Sequence, residues 1–264
     1  MKSKSEKLTE HYFYQLKDAW RPWRASSKSD CLVIPICTKL RENADVLVIG
    51  ASHSRFDTKR GKSLPSDVIA QRFAKNSPDQ NTYVSHNHDF AKALRGMLHE
   101  ITGRIFDPND TLTRRVLGKW MGTNRCAIQF KQASEEHIIE AWKADKTCAL
   151  CQNESDKIIR EMVEATRPKF VFLMGRAAVA IFHDVFLGIE PFADSNSTKN
   201  ADQLIKEWRE CKITDLGAKS FASSTLIPLF NPSARDLGAR KTENQKRLED
   251  NRVPEELGWL TLED

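Results

Sequence analysis

Four short apolar runs most constrain what this chain can fold into. They are ADVLVIG at 44–50, RCAIQF at 125–130, KFVFLMG at 169–175 and TLIPLF at 225–230. Each has the length of a buried strand and is rich in branched or aromatic residues that suit a pleated sheet. Helical patterns fall between them: FAKALRGMLHEI (90–101), SEEHIIEAW (134–142), CQNESDKIIREMVEAT (151–166) and RAAVAIFHDVF (176–186). Strands alternating with helices predict a parallel sheet covered on both faces. The expected class is α/β, in three layers (α/β/α), around a central four-stranded, mostly parallel sheet.

The helix at 151–166 shows a buried stripe of Cys151, Ile158, Ile159, Met162 and Val163, with Lys157, Arg160, Glu161 and Glu164 outside it. Arg167-Pro168 stops it. Gly50 and Gly175 each read as the end of a strand where the chain turns, which opens loops at the carboxyl ends of the strands, the usual ligand crevice of such sheets. Near the N-terminus, Tyr12, Phe13, Leu16 and Trp20 predict an amphipathic helix over the sheet edge. Residues 51–89 are polar and too long for a simple connection, so a functional loop or short extra helices are expected there. The stretch ADSNSTKNADQ (193–203) reads as a surface excursion. Beyond Lys241 the chain is mostly charged until LGWLTL, where Trp259 is expected to dock back. One domain over 1–264 is expected, with a helical extension at 1–43, a core at 44–240 and a C-terminal tail at 241–264.

Composition narrows the partners only slightly. Lys and Arg number 41 against 36 for Asp and Glu, a net +5 that suits a polyanion without requiring one. No segment approaches the ~20 apolar residues that span a bilayer, so membrane insertion loses support. Cys31, Cys37, Cys126, Cys148, Cys151 and Cys211 are scattered through a chain long enough to fold without staples, which predicts reduced thiols and a cytoplasmic protein.

Several polar segments have chemistry to offer. In GASHSRFD, backbone amides after a strand end could hold a phosphate or a water, and His53 or Asp57 could orient or deprotonate that water. The same loop could as well be polar without catalysis. Phe90 could be a stacking platform for a base or simply core, and the cluster Ser85-His86-Asn87-His88-Asp89 precedes it. On the second run, the Gln129 amide can both donate and accept, with Asn124 as the alternative in a shifted register. Asn231-Pro232-Ser233-Ala234-Arg235 reads as a turn that carries an amide, a hydroxyl and a guanidinium.

Taken together, ADVLVIGASHS, DFAKALRGMLHEI, the run from CALCQNESDKII to FLMGRAAVAIF, and LIPLFNPSARD resemble the uracil-DNA glycosylase superfamily over roughly residues 44–240. The resemblance implies an enzyme that flips a base out of DNA and hydrolyses its glycosidic bond, which requires a held base, a placed water and a stabilised leaving group. It implies catalytic roles for Asp57, His53 and Asn231. Ser52, Phe90, Gln129 and His88 would bind the base, and Ser54, Ser233, Arg235 and Arg176 would contact DNA. The chain departs from the pattern in two telling places. Ala51 and Ser52 stand where relatives carry an acidic or amide catalytic residue, and Asn231 replaces a histidine. With the long polar loop at 51–89, these departures point to a pocket reshaped for a modified pyrimidine, as in members that attack phage DNA.

Other signals are weaker. Cys148-Ala-Leu-Cys151 has metal-ligand spacing but no second pair. The iron–sulfur relatives carry a cysteine where this chain has Gln132. VLVIGAS lacks the glycine pattern of a dinucleotide fold, and His86-Asn87-His88 is not the nuclease motif its letters suggest. The expectation is a monomeric glycosylase with DNA as substrate, no metal and no cofactor. The competing reading is an inactive nucleic-acid or nucleotide binding module of the same fold, with a nuclease a distant third.

Overall fold

The computed structural model describes residues 2–26, 36, 38–54, 89–130, 135–179, 186, 200–231 and 237–262. Five strands form one sheet in the order β2-β1-β3-β5-β4: β1 (Val46–Ser54), β2 (Met121–Phe130), β3 (Phe170–Met174), β4 (Lys219–Phe221) and β5 (Ser224–Leu229). β2, β1, β3 and β5 run parallel, and β4 pairs antiparallel with β5. The fifth strand corrects the expected four. Its sequence, KSF, has two exposed residues and leaves no apolar run to read, and a tight link with Ala222 at φ 50 folds it back along β5.

Helices among the described residues are α1 (Lys4–Ala19), α2 (Arg21–Ser26), α3 (Asp89–Thr102), α4 (Thr111–Leu117), α5 (Glu135–Ala144), α6 (Lys146–Thr166), α7 (Arg176–Val179), α8 (Ala201–Glu210), α9 (Leu237–Asp250) and α10 (Val253–Glu256). They cover both faces of the sheet. Leu47, Ile49, Val171 and Leu173 join one buried cluster with Phe13 and Leu16 of α1 and Ile159, Met162 and Val163 of α6. The alternate residues Val46, Val48, Phe170 and Phe172 join a second cluster with Leu94 and Leu98 of α3, Val116 of α4 and Leu248 of α9. A strand buried on both faces needs no polar alternation, which is why these strands appear in the sequence as unbroken apolar runs.

The structure corrects several local expectations. A capping box opens α1, where the Glu6 N–H donates to Ser3 Oγ at 3.2 Å and the Ser3 N–H to Glu6 Oε2 at 2.7 Å. This helix packs on α6, its Trp20 end joins a cluster with Cys126, Ala127 and Ile128 of the edge strand β2, and the Tyr12 hydroxyl donates to the Glu161 carbonyl at 3.2 Å. α6 itself starts at Lys146, capped by Asp145, and stops as foreseen at Arg167, which takes φ 48 before Pro168. Its apolar stripe is buried as read, but so are Gln152, Asn153, Ser155 and Asp156.

The last residues of the expected surface excursion, Ala201–Gln203, instead open α8. There the Asn200 N–H donates to Gln203 Oε1 at 2.9 Å and the Gln203 N–H to Asn200 Oδ1 at 3.0 Å. Trp259 docks as expected, buried and stacked on Trp120 with ring centroids 5.8 Å apart. No helix among the described residues is long and apolar enough to cross a membrane.

Candidate functional site

Gly50 does not end β1. A Cβ at this position would lie 2.3 Å from Oδ1 of Asn124, its pairing partner on β2, so the glycine makes room for an amide instead of turning the chain. The strand continues through Ser54: Ser52 lies opposite Cys126, the register then shifts, and His53 and Ser54 pair with Gln129 and Phe130. Ala127 and Ile128 fill the irregularity and are buried. The open amide loop expected at 51–54 is therefore absent. On the β2 side the backbone of Ser52 to Ser54 is taken up by that ladder, whereas β3 pairs with β1 only as far as Ile49.

The neighbouring strands stop sooner. β3 ends at Met174, and Gly175 takes φ 86, a conformation open to glycine at little cost, while its N–H donates to the Leu229 carbonyl at 2.8 Å. A Cβ on Gly175 would lie 3.4 Å from Cβ of Asn231. The register pairs Ile49 with Leu173, Gly50 with Asn124 and Met174 with Leu229. Asn124, Gly50, Gly175 and Asn231 thus follow one another across the sheet in a rising row, Gly50 being level with Met174 and Leu229, Gly175 one residue and Asn231 two residues further along. β1 and β2 run on past that level as a two-stranded ribbon. The row crosses the point where the chain leaves β1 for β2 on one side and finds β3 on the other, the place where open α/β sheets part their loops around ligands.

Among the candidate residues, Asn231 and Arg176 belong to this row's rim. Asn231 is half-buried, and Arg176 is exposed as the first residue of α7. Phe90 is the second residue of α3, half-buried and packed against the cluster that holds Val46, Val48 and Phe172. Gln129 lies on β2 opposite His53, several residues beyond the level of Gly50. The alternative amide, Asn124, is the one beside Gly50. Asp57, His88, Ser233 and Arg235 lie outside the described residues.

Behind Asn124 lies a group that no local pattern announced. Arg125 is buried against Asp156 of α6: Nη2 donates to Oδ2 at 2.7 Å, and Nε lies 3.1 Å from Oδ1 and 3.2 Å from Oδ2. Both side chains are only 3% exposed. Gln152 Nε2 donates at 2.8 Å to Asp156 Oδ1 and at 2.8 Å to the Arg125 carbonyl, tying the helix to the strand itself. The guanidinium carbon lies 6.0 Å from the Trp142 ring centroid. This network fixes β2 at the residue after Asn124.

The C-x-x-C pair lies inside α6 and faces an apolar cluster with Trp23, Ile128, Ile138 and Trp142. Burial pushes the Cys126 thiol up to about 12 and raises Cys148 and Cys151 as well. Thiols held protonated this way are poor metal ligands. Among the described residues, no group of three or more His, Cys, Asp or Glu is placed to hold a metal ion. Comparison of the chain with models of known protein families and with curated proteins finds no match.

Proposed function

We propose that the chain is a DNA glycosylase that hydrolyses the N-glycosidic bond of a flipped, modified pyrimidine and leaves an abasic site, acting as a cytoplasmic monomer in defence against phage DNA. The observation that carries this reading is the row Asn124, Gly50, Gly175 and Asn231 at the switch point of a parallel sheet. It joins three of the four segments whose sequences resemble the uracil-DNA glycosylase superfamily, and it sets two amides against glycine backbone. An amide can donate to a ring carbonyl and accept from an exocyclic amine, the pattern a pyrimidine edge presents.

In this reading the base lies against the amides that Gly50 and Gly175 make room for, and one of those amides reads its edge. Asn124 takes that part in preference to Gln129, because it lies in the row. Asn231 hydrogen-bonds the departing base and offsets the charge that grows on it as the bond to the sugar breaks. A neutral amide does this with less pull than a charged imidazole would. Asp57 or His53 orients the attacking water, and Ser233, Arg235 and Arg176 meet the phosphates.

A second reading has an observation of its own. Position 51 is alanine and position 52 serine, so the described part of the first segment supplies no carboxylate. That favours an inactive binding module. Oligonucleotides carrying uracil, hydroxymethylcytosine or glucosylated cytosine, incubated with the protein and then treated with alkali, separate the readings. Alkali-dependent breaks that vanish in Asp57→Asn support the glycosylase. Retention without breaks supports the module, and direct metal-dependent breaks support a nuclease.

A further inference from the structure

Asn244 stands in the middle of α9, in a run of mostly charged and polar residues (KTENQKRLED) where an amide is a mediocre helix former. It is nevertheless buried, at 2% exposure. Its side chain meets the backbone of one residue twice: the Phe230 N–H donates to Oδ1 at 2.8 Å, and Nδ2 donates to the Phe230 carbonyl at 3.0 Å. Two bonds of opposite sense to one residue reproduce what a neighbouring strand would supply. The need arises from where β4 stops: Leu229 turns its carbonyl to Gly175 on the β3 side, so Phe230 faces the β4 side, where the pairing with β5 reaches only Leu226.

Three residues further along α9, Arg247 holds the carbonyls of Leu216 at 2.7 Å, Ile213 at 2.9 Å and Pro228 at 3.3 Å. The helix therefore grips β5 on both sides of Leu229. The next residue after the Asn244 clamp is Asn231, set against Gly175.

We infer that Asn244 is a positioning residue that fixes the exit of β5 and through it the place of the Asn231 amide. The inference rests on the reading of Asn231 as the group that meets the base. A positioning role differs from a merely structural one in that its effect must run through Asn231.

A double-mutant cycle tests this. Asn244→Leu, Asn231→Ala and the double variant are compared in turnover on the base that the wild type excises, and in Kd for a duplex carrying a tetrahydrofuran abasic site. Each single variant lowers turnover, Asn244→Leu by on the order of 100-fold, as expected when a reacting group is displaced. The double variant falls no lower than Asn231→Ala alone. Losses that multiply overturn the inference. If the wild type binds the abasic duplex and cuts no base, the glycosylase reading fails; the cycle in Kd then decides, with non-additive losses supporting the positioning role and multiplying losses overturning it. A wild type that neither cuts nor binds overturns both. Should Asn244→Leu not fold, Asn244→Asp enters the same cycle, since it keeps the bond from the Phe230 N–H and loses the one to its carbonyl.

Discussion

Replacing Asp156 by leucine should unfold much of what holds β2. The Arg125 guanidinium is 3% exposed and spends its Nε and Nη2 donors on that carboxylate, so the variant leaves a buried positive charge without this counter-ion. Removal of one partner of such a pair costs about 3–5 kcal/mol. Set against the ~5–15 kcal/mol of a typical folded domain, this is a large share. At roughly 2–4 °C per kcal/mol for a chain of this size, the melting temperature should fall by about 6–20 °C. The double variant Arg125→Met/Asp156→Leu should recover most of the loss, because no buried charge remains to be stranded and the volume stays filled. Urea unfolding of the wild type and the three variants reads both effects. A single-variant loss below ~1 kcal/mol, the range of exposed pairs, would mean that water reaches the site. A double variant as unstable as the single would refute the argument that the stranded charge is the cause.

Gly50→Ala should displace the Asn124 amide, whose Oδ1 would meet the new Cβ at 2.3 Å; the expected stability loss is about 1–3 kcal/mol, and excision should fall far more than the urea midpoint does. Trp259→Ala removes the ring stacked on Trp120 and should cost about 3–5 kcal/mol in the same unfolding assay. Cys126 should remain unlabelled by a thiol reagent in the native protein at pH 8 and react after denaturation, as mapped by mass spectrometry. Its folded pKa is raised from 9.0 to about 12, so the unfolded chain loses this proton first. Its contribution to stability is complete below about pH 9 and is lost as pH rises toward about 12; a urea midpoint that climbs across that window would contradict the burial.

The sheet was legible where burial on both faces left apolar runs, at Val46–Ile49, Phe170–Met174 and Thr225–Leu229. The first half of β2 was not, because Gly122, Thr123 and Asn124 are small or polar and owe their place to distant contacts. The Gly122 N–H donates to Thr38 Oγ1 at 2.9 Å, and Thr123 bridges to Ile36. Charge misled in two places. Arg125 and Asp156 lie 31 residues apart and each looks like a surface residue until the other is found. Asn244 hides in a segment whose charges read as a solvated tail. The glycines carried a real signal, yet its meaning differed between them: Gly175 marks a turn by its own dihedral, whereas Gly50 marks a neighbour's side chain, which sequence spacing does not express. Of the site, the amides at 124 and 231 are brought into one row, and Phe90 packs, half-buried, against the second cluster.

The two glycines of the row have an evolutionary consequence. Under the proposed glycosylase reading, the glycines admit the Asn124 and Asn231 side chains and add none of their own, so selectivity for what decorates an incoming ring falls to the segments around the row. Such segments can be rewritten without disturbing the five strands beneath them. Under that reading a scaffold of this kind can follow a target whose base chemistry changes, provided that positions 50 and 175 never acquire a side chain.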